Sequence, residues 1–138
     1  MTRNEARVIM MQILYEMDAT KSLNEEKAAK LCEERLPGAH AARGTALLSQ
    51  ITNNLDDIDG DINRCASKWK TSRMPKVDLA IMRLACGELR YADDIPQAVT
   101  INEAINLARN YSTENSARFI HGVLGAITKD AADESAEK

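Results

Sequence analysis

Seven stretches of the chain repeat apolar residues at helical spacing. Between residues 3 and 19, Val8, Met11, Leu14, Tyr15 and Met17 recur near that period with neither Gly nor Pro to interrupt them, which predicts a first helix. Ser22 or Asn24 can cap a second, with Ala28, Leu31, Cys32 and Leu36 inward, and Pro37-Gly38 ends it. A third spans about His40 to Asn54 on a stripe of Ala46, Leu47, Ile51 and Leu55. A fourth is expected over about Asp57 to Trp69, with Ile58, Ile62, Cys65, Ala66 and Trp69 on one side, and a short loop follows to Pro75. The fifth, about Lys76 to Ala92, is apolar around much of its circumference (Val77, Ala80, Ile81, Leu84, Ala85, Leu89), and Glu88 is an acid inside that face. Asp93-Asp94-Ile95-Pro96 breaks the chain before a sixth, about Gln97 to Asn110, on Ile101, Ala104, Ile105 and Ala108. Ser112 or Thr113 caps a seventh carrying Phe119, Ile120, Val123, Leu124 and Ile127. From Asp130 on, small and charged residues predict a disordered tail over 130–138. The pattern is that of one all-α bundle over residues 1–129, with about seven helices in two packed layers.

Composition agrees. A chain of 138 residues makes one domain, and 44% hydrophobic residues supply a core. Only 4% are aromatic, so that core is aliphatic. With 6 Gly and 3 Pro there are too few turn residues for a many-stranded sandwich or barrel. No apolar run is long enough to span a membrane. The N-terminal stretch carries Arg7 and lacks a small-residue cleavage site, so it does not read as a signal peptide. Cys32, Cys65 and Cys86 are odd in number and widely spaced, which fits free thiols in a cytoplasmic protein, with Cys86 in the core. Asp56, Asp57, Asp59 and Asp61 have a superficial likeness to a calcium loop. They lack its downstream Gly and Glu, and carboxylates suit a helix start, so no metal and no cofactor are expected.

The net charge of -3 excludes a generally basic nucleic-acid binder and leaves only a local patch. Arg64, Lys68, Lys70, Arg73 and Lys76 occur without an intervening acid, and Trp69 sits among them. Cations beside an aromatic are what a phosphate-tracking, base-stacking surface uses. They equally suit a helix end, where lysines favour the dipole and the indole plugs the core, and composition favours that second reading. Arg3 and Arg7, one turn apart, can extend the patch. Glu88 and Glu103 can be read as an acid–base pair. Glu88 can also be read as a structural acceptor for the first amides of a neighbouring helix. No nucleophile or phosphate-cradling loop accompanies them, which favours structure. His40 and His121 read as packing or surface residues. Gly122 and Gly87, inside helices, each cost about 1 kcal/mol relative to Ala and suggest the close approach of a backbone or ligand.

Four segments then resemble the NusB family of bacterial transcription antitermination factors. They are Arg7 to Tyr15, Trp69 to Leu89 through Arg73-Met74-Pro75 and Val77-Asp78, Ile95 to Arg109 through Ile101-Asn102-Glu103-Ala104, and Phe119-Ile120-His121-Gly122-Val123-Leu124. The resemblance implies two packed three-helix layers and no enzymatic activity. It implies a protein that pairs with the ribosomal protein NusE, binds the single-stranded boxA element of nascent ribosomal RNA transcripts, and works in the RNA polymerase antitermination complex. By the same resemblance Arg3 and Arg7 stand for an arginine-rich arm. Tyr111, Glu114, Asn115, Arg118 and Phe119 stand for the RNA side, and Asp78 for the NusE side. Arg83 and Glu88 look structural. Lys68, Lys70, Arg73 and Lys76 become an additional basic patch. The arm is thinner than is usual in the family, which predicts weak RNA binding by the chain alone. His121 replaces the usual Asn, keeping a ring nitrogen for hydrogen bonding and adding sensitivity to pH. A helical interaction module with weak or lost RNA binding is the alternative. A domain of an RNA methyltransferase is a third reading, disfavoured because the chain ends at Lys138 with no Gly-rich cofactor loop.

Overall fold

Thr2 starts the first helix with a reciprocal cap: its hydroxyl accepts from the Glu5 amide, and its own amide donates to the Glu5 carboxylate. The computed structural model describes residues 1–137 and places α1 at Arg3–Ala19, α2 at Glu25–Arg35, α3 at Ala39–Asn53 and α4 at Leu55–Cys65. Then come α5 at Lys76–Tyr91, α6 at Gln97–Tyr111 and α7 at Glu114–Glu137. Asn24 caps α2 by accepting from the Lys27 amide, and Thr113 caps α7 by accepting from the Ser116 amide. Pro75 and Pro96 precede α5 and α6, where a missing N–H costs nothing.

The helices form an N-terminal layer, α1 to α3, and a C-terminal group, α4 to α7. The fifth helix packs against members of both. Every residue of α5 from Asp78 to Glu88 is buried, which is why its sequence is apolar nearly all round. The core is Ile13, Leu14, Met17, Leu48, Ile51, Ile58, Ile62, Ile81, Met82, Leu84 and Ile120 with their neighbours. Gly87 lets α3 approach: a Cβ there would run into the Ile51 side chain. No described helix is long and apolar enough to cross a membrane.

Three expectations change. The fourth helix ends at Cys65, so Trp69 lies in the loop that follows. The reason is local. The Lys70 ammonium donates to the Asn63 and Ala66 carbonyls at 2.7 and 2.9 Å, and the Thr71 amide donates to the Asn63 side chain, so the end of α4 is closed by the returning chain. Ala46 is exposed, and Leu48 takes its place in the α3 stripe. The seventh helix does not stop at residue 129 but continues through the expected tail to Glu137, a stretch rich in Ala and Glu, both strong helix formers. Lys138, the last residue of that expected tail, lies outside the described residues.

Candidate nucleic-acid interface

The start of α7 and the loop after α4 make a groove lined by Cys65, Lys68, Asn115, Arg118, Phe119 and Gly122, among others. Two residues expected from separate signals, Lys68 from the basic stretch and Phe119 from the seventh helix, meet here. Trp69 packs edge-on to Phe119 with ring centroids 5.3 Å apart, and the Lys68 ammonium lies 5.0 Å from the Trp69 ring centroid. The chain leaves the helix at Ala66, and the loop that follows sets the Trp69 ring against Phe119 of α7. The Arg118 guanidinium donates to the Asn115 side chain at 2.6 Å, which pre-orients both on the exposed face of α7. Tyr111 is 45% exposed at the end of α6. Glu114 is held by Arg109 in an exposed pair at 3.2 Å, a contact of small energetic value.

The remaining basic stretch is divided. Lys70 is occupied with the end of α4, Lys76 stands 3.9 Å from Asp18 of α1, and Arg73 is exposed in the loop. Arg64 pairs with Asp61 and Asp130. The patch is therefore not one surface, and Lys68 is its member in the α7 groove.

Arg3 and Arg7 lie elsewhere, in a cavity of about 230 Å³ between α1, α3 and α5 that is also lined by His40, Arg43 and Tyr91. Arg3 is half exposed and meets Asp94 at 3.2 Å. Arg7 is 5% exposed and is not an arm residue at all. Its guanidinium forks onto Glu88, donating through Nε at 2.9 Å and Nη2 at 2.9 Å, and its Nη1 donates to Asn4. Glu88 also accepts from the Thr100 hydroxyl in the first turn of α6. Its structural role stands, with a buried guanidinium and a hydroxyl as partners where helix amides were expected. The chain reads Arg7 as exposed only because a buried cation's partner, here 81 positions away, is invisible to local pattern.

Asp78 is the sharpest correction. Read as an exposed rim acid, it is 0% exposed and accepts two hydrogen bonds of 2.6 Å, from the Ser112 and Ser116 hydroxyls. It ties the first turn of α5 to the start of α7. Arg83, also on α5, forks onto Asp59 of α4 at 2.9 and 2.8 Å and approaches Asp18 of α1. Glu103 lines a different groove from Glu88, so the two do not form an acid–base pair. Burial pushes the thiols of Cys32 and Cys86 up, away from the reactive thiolate. Among the described residues no cluster of His, Cys, Asp and Glu converges as a metal cage.

The chain is similar to known proteins in both sequence and fold. A sequence model of the NusB family matches residues 4–129. The transcription antitermination protein NusB of Acetivibrio thermocellus is 40% identical over 130 residues, covering 94% of this chain and 90% of that protein. T. maritima NusB superposes with a TM-score of 0.84 at 32% identity, over 94% of this chain and 92% of that one. A chain in a crystal structure of antitermination factors NusB and NusE with double-stranded RNA shares the fold, with a TM-score of 0.80 at 22% identity over 93% of this chain and 96% of that one.

Proposed function

The chain belongs to the NusB family, and from that premise we propose that it is a cytoplasmic transcription antitermination factor without catalytic activity of its own. With NusE it binds the boxA element of nascent ribosomal RNA transcripts and joins the RNA polymerase antitermination complex. The observation that carries this reading is the α4–α7 groove, where Lys68, Asn115, Arg118 and Phe119 converge beside Trp69. A cation for phosphate, an amide for a base edge and aromatic rings for stacking are the parts that single-stranded RNA requires. Tyr111, exposed at the end of α6, is a further stacking platform. Arg3 adds one exposed cation from α1. Arg7 contributes to RNA binding only by holding α1 in place. Asp78 supports the start of α7 from inside. The NusE-facing surface then lies outside the buried run of α5 from Asp78 to Glu88.

The second reading, an interaction module with weak RNA affinity, draws on the burial of Arg7 and the Arg3–Asp94 pair, which leave the arm little free charge. Titration of a labelled boxA-type RNA with this chain, with and without NusE, separates the two. We expect weak binding alone and much tighter binding with NusE. Formation of a NusE complex that still fails to bind the RNA would establish the interaction module instead.

A further inference from the structure

Gly122 lies inside α7, where glycine is a poorer helix residue than alanine. At Gly87 the same penalty has an internal reason, the Ile51 side chain. At Gly122 there is none: the residue is exposed, and a Cβ would meet nothing within 4 Å. Its position on the surface supplies another reason. Gly122 lines the α4–α7 groove. Across the same helix lies a second groove, between α6 and α7, lined by Asn102, Glu103, Asn106, Arg109, Arg118 and His121 with two apolar neighbours. Arg118 lines both, so Arg118, His121 and Gly122 form the crest between them.

We propose that Gly122 is a saddle over which a single RNA strand crosses α7, and that the α6–α7 groove is a second nucleotide subsite. The inference rests on the RNA-binding reading above. Without a Cβ the crest is low, and a sugar-phosphate backbone can lie directly on the helix. The far groove has the chemistry to hold what crosses. Asn102 and Asn106 are one turn apart on α6 and both exposed, so their carboxamides stand side by side. Each offers a donor and an acceptor to the edge of an unstacked base. Arg118 and Arg109 supply cations for phosphate, Arg109 by giving up its exposed bond to Glu114. Glu103 is the carboxylate among these residues. It repels phosphate, which sets the strand's backbone towards Arg118 and turns the base towards α6. His121 adds a ring nitrogen at the crossing itself.

The test compares Gly122→Ala with Gly125→Ala. Gly125 is on the same helix, also has open space for a Cβ, and lines neither groove. Both variants should melt at or above the wild type, by up to about 3 °C, because alanine favours the helix. Only Gly122→Ala should lose affinity for a labelled boxA-type RNA in the presence of NusE, by roughly three- to tenfold. Asn102→Ala with Asn106→Ala should lose a similar factor and discriminate less between RNAs changed at single positions. Wild-type affinity in a Gly122→Ala protein of raised melting temperature would overturn the proposal. Equal losses in both glycine variants would also overturn it, because the cause would then be the helix. A loss of RNA affinity that tracks weakened NusE binding by Gly122→Ala would overturn it too, because the saddle would then belong to the protein partner. If the wild type with NusE binds no RNA, the functional reading fails first and the subsite fails with it.

Discussion

Arg7 and Glu88 set the cost of any change at the contact between α1 and α5. Both side chains are at most 5% exposed, and each satisfies the other's charge. Removing one leaves the other buried and unpaired, a loss of about 3–5 kcal/mol. Replacing both by apolar residues of similar volume removes the charges together and costs far less. Urea denaturation of Arg7→Met, Glu88→Leu and the double variant should therefore show two unstable singles and a double close to the wild type. A double variant as unstable as the sum of the singles would mean that the pair does more than neutralise itself. The result also decides how RNA data are read: reduced RNA binding by Arg7→Met is a folding effect until stability is matched. Asp78 obeys the same logic. Asp78→Lys places an unpaired cation where two hydroxyls point inward, at a cost of several kcal/mol. Circular dichroism should show partial unfolding at growth temperature, and any loss of NusE binding should track the folded fraction. Folded Asp78→Lys protein with selectively weakened NusE binding would return Asp78 to the partner surface.

At the scale of the helices, charge joins what the apolar stripes have packed. Asp61 of α4 receives Arg90 of α5 at 2.6 Å and Arg64 at 2.9 Å. Burial pushes its carboxyl up, but the guanidinium hydrogen bonds and charges outweigh burial and hold it below the ordinary aspartate range. A carboxylate with a depressed folded pKa stabilises the fold fully above its unfolded pKa of about 3.9 and loses that contribution as pH falls through the folded value. The melting temperatures of wild type and Asp61→Asn should differ most near neutral pH and converge as pH falls below the unfolded value and through the lower folded one. A gap that persists into strong acid would mean that the side chain acts through packing. The helices themselves were legible because periodicity reports which face is buried, and α5 stood out as apolar on nearly every side. The end of α4 was not legible. Ala66 and Trp69 continue the apolar period, and only the return of Lys70 and Thr71 onto Asn63 reveals that the chain has left the helix. Asp78 and Arg7 were misread for a related reason. A lone polar residue beside an apolar stripe is exposed or internally paired according to partners that arrive from distant helices.

For the whole molecule, the question is how a chain of net charge -3 holds a polyanion. The candidate site was legible in part: Asn115, Arg118 and Phe119 share one groove with Lys68, whereas Arg3 faces a different cavity and Arg7 is interior. Folding therefore scatters the sequence's cations and leaves few for phosphate. Each phosphate contact on a single strand contributes about -0.7 to the slope of log affinity against log salt. Two to four contacts, from Lys68, Arg118 and Arg3 with at most one more, give a slope of roughly -1.5 to -3. Lys68→Ala and Arg118→Ala should each make that slope shallower by about 0.7. Tyr111→Ala should lower affinity by about 1–3 kcal/mol and leave the slope alone, because stacking is insensitive to salt. Arg7→Met, corrected for its folded fraction, should not change the slope. A basic partner supplies the missing contacts, so adding NusE should steepen the slope as well as tighten binding. The measurement is a salt titration of labelled boxA-type RNA against each protein, with and without NusE. A slope steeper than about -5 for the isolated chain would require more phosphate contacts than its exposed cations near these sites can make.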